Sequence, residues 1–382
     1  MNIRNNMNNE PKRMIFHHPL PVNDDGTSAS RKRPWKMLKA FESIGYEVFQ
    51  VTGYSQERSE AIEVLKNEIK KGKIFDFVYS ETSTMPTALA DRDHIPRRPL
   101  MDFRFFQFAH SKNIPIGLFY RDVHWKFKFY KEKVPLQKRF FALAGYYYDL
   151  WAYHRFINHL FVPSIKIMKY VPFMNNLPHT QLPPGCDFNH CDTKQNPSTE
   201  KELRTLYVGG IKPPIYNLIP MLKSFRAIHK AQLTLCCRQK EWEEVSEFYK
   251  PYLSDNITIV HLSGNDLAPL YCQSDIFIFV FSPETYTQVA LPFKIFESIG
   301  YGLPIITSSG STCGEFIEKN HLGWTISSEL ELSDLLSRLC NDKQDIQAKK
   351  QRVIQSRNKH SWEKRAEEVA RLLTPTKGNQ LT

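Results

Sequence analysis

Short apolar runs alternate in strict turn with stretches of helical periodicity along almost the whole chain, and that alternation admits few architectures. The run Met14-Ile15-Phe16 leads through a polar loop at 23–28 into a helical stretch over 34–44. Gly45 then stands where a glycine ends a helix, and Tyr46 to Val51 alternates as a strand. The pattern continues with a charged helix over 56–71, a strand at 75–79, a helix over 101–111 and a strand at 115–119. A long aromatic helical region over 134–156 and a short strand at 160–164 complete the first half. Strands separated by helices cannot pair as hairpins, so they predict a parallel sheet covered on both faces.

Between Leu182 and Glu200 the composition turns to Pro, Asn, Asp, Thr and Lys without apolar periodicity, as in an interdomain linker. Beyond it the alternation resumes. Strands are expected at 203–208, 232–237, 257–262, 276–280 and 304–307, and helices near 218–229, 241–252, 267–272 and 293–300. A charged helix over 329–357 and a final helix over 362–373 follow. A chain of 382 residues exceeds what one core usually supports. The expected division is a first domain over 1–190, a linker over 191–202, a second domain over 203–358 and a terminal helix and tail over 359–382. Two doubly wound α/β domains facing a cleft would take ligands at the carboxyl ends of their strands.

Composition narrows the class. The apolar fraction is 41% and the chain holds 26 Phe and 17 Tyr, which excludes a disordered protein. The apolar run at 14–16 is too brief for a signal peptide, and the longest apolar runs, near six residues, fall short of the ~20 that a spanning helix needs. The seven cysteines include no Cys-x-x-Cys pair and read as free thiols of a reducing cytoplasm. Cys186, His190 and Cys191 lie close together, but no fourth zinc ligand stands at a useful spacing. Of the net charge of +11, residues 1–190 carry +10, from 28 Lys and Arg against 18 Asp and Glu. Such asymmetry points to an anionic surface or polymer meeting the first half.

The chemistry is concentrated after the apolar strand at 276–280. Pro292 occupies a favourable first helical position, and Gly300 and Gly302 close the helix that follows. Lys294 and Glu297 are three apart and share a face, while Phe293, Phe296 and Ile299 serve the buried side. A helix N-terminus attracts phosphate, a lysine in its first turn adds a point charge, and a glutamate one turn on can accept both hydroxyls of a ribose. The two residues alone suit a surface ion pair equally well.

The stretch from Leu291 to Ser311, LPFKIFESIGYGLPIITSSGS, resembles the donor-nucleotide motif of the group 1 family of GT-B glycosyltransferases, which reads Pro-x-Lys-x-x-Glu, a small residue, then Gly-x-Pro-Ile. The likeness extends to the loop at Gly26 to Ser30 with Arg33, the strand end Val208-Gly209-Gly210, the run Pro183-Pro184-Gly185-Cys186-Asp187, and Trp362 opening the last helix. The resemblance implies that Lys294 contacts the donor diphosphate, that Glu297 holds the ribose, and that the last helix crosses back onto the first domain. It departs from the family at two places. Val289 stands where many members have a second glutamate, and the turn Gly209-Gly210-Ile211-Lys212 lacks the usual Arg and Lys. Arg238, at a strand end, is the candidate for the missing charge, against a solvated strand-end arginine. Gly26 and Ser28 are candidates to line the donor phosphates, against a simple turn.

On the acceptor side, Arg121, Asp122 and His124 directly follow the strand at 115–119. Asp122 or His124 would serve as base if configuration inverts, and retention, which the resemblance implies, needs none. The competing reading has Asp122 capping a helix and His124 packing. From Arg121 to Arg139 seven Lys and Arg meet two acids among aromatic rings. Residues 121–148 therefore suit an anionic membrane surface and a glycan or lipid-linked acceptor. Single-stranded nucleic acid would fit the same mixture, but no nucleic-acid module is recognisable and none is expected as partner. Asp91-Arg92-Asp93 has the form of a metal motif, yet it lies in a polar loop, and neither metal nor other cofactor is expected. The reading is a cytoplasmic glycosyltransferase on the inner face of the membrane, using a nucleotide-sugar in polysaccharide biosynthesis. A sugar-nucleotide epimerase of the same fold and a non-catalytic nucleotide- or nucleic-acid-binding protein are the alternatives.

Overall fold

The computed structural model describes residues 11–24, 29–191, 202–281 and 285–374. The chain divides into two units, one running to Pro183 and resuming at Trp362, the other spanning Pro184–Ser361.

In the first unit β1 (Arg13–His18), β2 (Glu47–Thr52), β3 (Phe77–Glu81), β4 (Ile116–Phe119), β5 (His159–Val162) and β6 (His179–Gln181) form one parallel sheet in the order β2-β1-β3-β4-β5-β6. Met14, Ile15 and Phe16 are fully buried, as a strand covered on both faces requires. The terminal helix Trp362–Leu373 packs on the helix Ala29–Ser43 and over β3 and β4, so the expected return to the first unit holds. Gly117 in β4 makes that approach possible, because a Cβ there would come within 2.6 Å of Leu373 Cδ1 and 2.8 Å of Phe161 Cε2. Arg33 ties the same layers together. Its buried guanidinium lies 3.6 Å from the Phe119 ring centre, 5.8 Å from that of Trp362, and its Nε is 3.3 Å from Glu81 Oε1.

A second buried network fixes the carboxyl end of β1. Arg58 donates from Nε and Nη2 to both oxygens of Asp102, at 2.9 and 3.0 Å, and from Nη1 to the carbonyls of Pro19 and Gly53. His17 Nε2 lies 3.0 Å from Asp102 Oδ1 and its Nδ1 2.8 Å from Ser80 Oγ. Burial opposes ionisation of Asp102, but Arg58 and His17 outweigh it and hold the carboxyl down to about 2.

The second unit repeats the plan with β7 (Leu203–Val208), β8 (Ala231–Cys236), β9 (Ile257–Val260), β10 (Ile276–Phe279), β11 (Ile305–Ser308) and β12 (Gly323–Ile326), ordered β12-β11-β10-β7-β8-β9 and all parallel.

Several expectations need correction. Each sheet has one edge strand more than its sequence announces. Polar His179-Thr180-Gln181 forms β6, and three half-buried residues with buried Ile326 form β12, whose Gly323 allows the Ile305 carbonyl to come so close that a Cβ would stand 1.8 Å from it. The helix expected over 329–357 is two, Glu329–Asn341 and Lys343–Ser356, because the Asp342 side chain accepts from the Asp345 amide and starts a new helix. The units part at Pro183 rather than at 190, because the Cys186 amide donates to the His360 carbonyl and Asn189 to that of Gly300. Nor are all seven cysteines free: Cys191 and Cys272 form a disulfide, while Cys186, Cys236, Cys237, Cys313 and Cys340 remain thiols.

Candidate functional site

In a doubly wound sheet the loops that flank the point where the strand order reverses form the natural crevice. In the second unit that point lies between β7 and β10. The Gly209-Gly210 turn leaves β7, and the chain leaving β10 passes through the short helix Thr285–Val289 into the helix Phe293–Gly300, which leads to β11. Pro292 caps that helix with extended backbone, and Ile295, Phe296 and Ile299 are buried, Phe296 between the rings of Phe316 and His360. The opposite face keeps Lys294 and Glu297 partly open to solvent, at 26% and 15% side-chain exposure, and ion-paired to each other. Lys294 is near enough to the end of β8 for its charge to favour the Cys236 thiolate, although burial dominates and pushes that thiol up.

Sequence reasoning missed Tyr271, in the short helix Ala268–Gln273. Its buried hydroxyl donates to Glu297 Oε2 at 3.2 Å and its ring stacks on Tyr301 at 4.6 Å. Glu297 is thus oriented by a lysine from its own helix and a tyrosine from another. No spacing in the sequence signals that contact.

At the Gly209-Gly210 turn, the Tyr207 hydroxyl donates to the Gly210 carbonyl at 2.6 Å, and a Cβ on Gly210 would strike the Tyr216 ring at 2.8 Å. Glu241 accepts from the Ile211 amide at 3.3 Å through Oε2 and from Arg238 at 2.6 Å through Oε1. Arg238 therefore stands beside the turn whose arginine is missing, and its side chain is 74% exposed. Lys212 pairs with Glu244. Val289 is buried, so nothing polar replaces the second glutamate at that position. Gly26 and Ser28 lie outside the described residues. A further cavity of about 320 Å³ opens at the ends of β10, β11 and β12, lined by Phe281, Ser308, Ser309, Ser327 and Ser328 among others, and neither Lys294 nor Glu297 borders it.

In the first unit the order reverses between β1 and β3, and a cavity of about 420 Å³ lies there. Arg121 lines it. Asp122 and His124 instead engage one another. Asp122 Oδ1 accepts from the His124 amide at 3.0 Å, its Oδ2 lies 3.6 Å from His124 Nδ1, and the imidazole packs edge-on between Tyr130 and Tyr146. Both side chains are about one-fifth exposed. Asp122 thus accepts from the amide two residues on, ahead of the short helix His124–Lys126, and the His124 ring is packed, while both remain within reach of solvent. Asp91 accepts from the Ser55 amide and hydroxyl at 2.7 and 2.6 Å, and Asp93 pairs with Arg97, so both carboxylates of the Asp-x-Asp run serve the local structure. Among the described residues, no group of three or more His, Cys, Asp or Glu side chains is placed to hold a metal ion.

Residues 202–342 match the family model described as glycosyl transferases group 1. That stretch lies within the second unit. No curated protein matches. Among solved structures, the Anabaena protein Alr3699/HepE in complex with UDP-glucose is similar at 11% identity and a TM-score of 0.60, over 94% of this chain and 99% of that one. A glycosyltransferase from Rickettsia africae aligns at 13% identity and a TM-score of 0.61, over 95% and 98%. WaaG, a glycosyltransferase involved in lipopolysaccharide biosynthesis, aligns at 15% and 0.53, over 95% and 100%. At such identities the likeness speaks to the fold, and the fold of this chain, two units each built on a parallel six-stranded sheet, is GT-B.

Proposed function

We propose that this glycosyltransferase takes a sugar from a nucleotide-sugar donor held by Lys294 and Glu297 and passes it to a glycan or lipid-linked acceptor in the biosynthesis of a surface polysaccharide. One observation carries the reading: Lys294 in the first turn of the helix Phe293–Gly300 and Glu297 one turn on are ion-paired on one face of it, in the segment between β10 and β11. The positive end of that helix and the Lys294 ammonium supply the field a diphosphate needs, without requiring a metal. Glu297, turned by Tyr271, offers a carboxylate to the ribose hydroxyls. Arg238 adds charge beside the Gly209-Gly210 turn, and Gly26 and Ser28 belong to the same donor reading. Asp122 and His124 hold each other in place on the acceptor side, with Arg121 beside them, and transfer with retention asks for no dedicated base.

The reading includes attachment to the inner, cytoplasmic face of a membrane through residues 121–148. No described helix is long and apolar enough to cross a bilayer. Trp125, Phe127, Tyr130 and Tyr146 of this segment are buried, but Leu136, Phe140 and Phe141 are exposed by 72%, 72% and 70%. They share the start of one helix with Lys138 and Arg139, a mixture suited to lipid headgroups and the layer beneath them.

The test is thermal stabilisation of the full chain by UDP-, GDP-, ADP- and CMP-sugars. One of them should raise the melting temperature, and Glu297→Ala should abolish that rise while the protein stays folded. Equal binding by wild type and variant, or binding of none of the four, refutes the assignment. Turnover of the donor without any acceptor would identify an epimerase instead.

A further inference from the structure

We propose that the Cys191–Cys272 disulfide is a redox-sensitive clamp on the donor site: a dithiol that reduces it loosens the helix carrying Tyr271 and so weakens the hold on the nucleotide-sugar. The inference rests on the reading of Lys294 and Glu297 as the donor grip of a chain that works in the cytoplasm.

The clamp is built from a short stretch of chain. Residues 187–191 lie against the end of the helix Phe293–Gly300, where the Asn189 amide donates to the Gly300 carbonyl at 3.2 Å. Residue 300 must be small for this, because a Cβ there would stand 2.4 Å from the Asp187 carbonyl oxygen. Two residues beyond Asn189, Cys191 is bonded to Cys272 of the helix Ala268–Gln273. The residue before Cys272 is Tyr271, which donates to Glu297 Oε2 and stacks on Tyr301, the cap at the end of the helix Phe293–Gly300. One covalent bond and one hydrogen bond therefore strap together the two helices between which the Tyr271–Glu297 contact runs.

A helix of six residues is far below the length that is stable alone, so its position is set by what holds it from outside. Tyr271 fixes it on the buried side and Cys272 on the side nearer solvent. Opening the bridge leaves the Tyr271 hydroxyl, and with it the orientation of Glu297, dependent on packing alone.

The chemistry is thiol–disulfide exchange. A thiolate of the dithiol attacks one sulfur of the bridge, and the other sulfur leaves as a thiolate and takes a proton. The second thiol of the reagent then displaces the remaining protein sulfur from the mixed disulfide. The protein gains two electrons and two protons, the dithiol loses them and closes to a disulfide, and an oxidised dithiol restores the bridge by the reverse steps. Cys191 and Cys272 are half-buried and within reach of such a reagent, whereas Cys186, Cys236, Cys237 and Cys313 are buried. In a reducing compartment a bridge that a dithiol can reach is made and broken rather than permanent.

The experiment uses the full chain, oxidised with glutathione disulfide and then reduced with millimolar dithiothreitol, with Cys191→Ser and Tyr271→Phe beside the wild type. Alkylation and peptide mass should find the Cys191–Cys272 cross-link in the oxidised chain, and dithiothreitol should open it while the protein stays folded. Hydrogen exchange of the amides over 268–273 should then quicken by about threefold or more. Cys191→Ser should exchange at the faster rate with or without reductant. Affinity for whichever of UDP-, GDP-, ADP- and CMP-glucose the wild type binds should fall by about threefold or more on reduction, whereas Tyr271→Phe, which already lacks the contact, should respond by less than about twofold. Free thiols at both positions in the oxidised chain, a bridge that resists dithiothreitol, exchange over 268–273 indifferent to reduction, donor affinity indifferent to reduction, or an equal loss of affinity in Tyr271→Phe overturns the proposal. Faster exchange with none of the four nucleotide-sugars bound in either state supports the clamp on the helix while refuting the donor reading.

Discussion

The Tyr271 hydroxyl and the Lys294 ammonium converge on a single oxygen, Oε2 of Glu297. The other oxygen of that carboxylate is turned by the same two contacts. Tyr271→Phe should keep the stack on Tyr301 and leave the fold intact while releasing one restraint on Glu297. We expect nucleotide-sugar affinity to fall by roughly three- to tenfold, the scale of one hydrogen bond to a charged group, as measured by calorimetry. An unchanged affinity would mean that Tyr271 only packs.

Gly117 is the point at which the terminal helix meets β4. Gly117→Ala places a methyl 2.6 Å from Leu373 Cδ1, and overpacking of this kind costs ~1–3 kcal/mol. Urea unfolding should show a lower midpoint. Combining it with Leu373→Ala, which makes room, should recover part of the loss relative to Leu373→Ala alone.

Asp149 supplies a pH signature. Burial, only partly offset by the Thr87 amide 2.7 Å from Oδ2, pushes its carboxyl up to about 7. The folded state therefore holds this proton more tightly than the unfolded chain does. Stability from this group is complete below its unfolded pKa near 4, is lost as pH rises toward about 7, and is level above that. Asp149→Asn keeps an oxygen for Thr87 and cannot ionise. The stability of the variant relative to wild type should rise between pH 4 and 7, by an amount of the order of a few kcal/mol, in urea melts across that range. A flat difference would show that the carboxyl titrates normally.

Exposed Phe140 and Phe141 give the membrane reading its own test. Co-flotation with vesicles containing anionic lipid should be strong for wild type at low salt, weaker at high salt, and reduced by about tenfold or more in Phe140→Ser/Phe141→Ser. Equal flotation of the two proteins would remove these rings from any membrane contact.

Much of this was legible in the sequence because parallel strands buried on both faces announce themselves as apolar runs, as Ile276 to Phe279 does. The helix carrying Lys294 and Glu297 could be placed because a proline and two glycines punctuate it. The missed strands β6 and β12 lie at sheet edges, where one side faces water and no apolar run is needed. Tyr271, Glu241 and the Cys191–Cys272 bridge were hidden for a different reason: each depends on side chains brought together from distant positions, and local periodicity carries no trace of such meetings. Asp122 and His124 were located by their position after β4, but their engagement with each other depends on a turn that spacing alone does not fix.

The bond from the Cys186 amide to the His360 carbonyl, 2.7 Å long, places the beginning of the second unit beside its end. In terms of chain topology that unit is a parenthesis: the first unit is interrupted after Pro183 and completed only when Trp362 arrives. During synthesis the second unit can therefore close on itself while the first still waits for its last helix. A chain cut short before Trp362 would lose the cover of β3 and β4 in the first unit and spare the second.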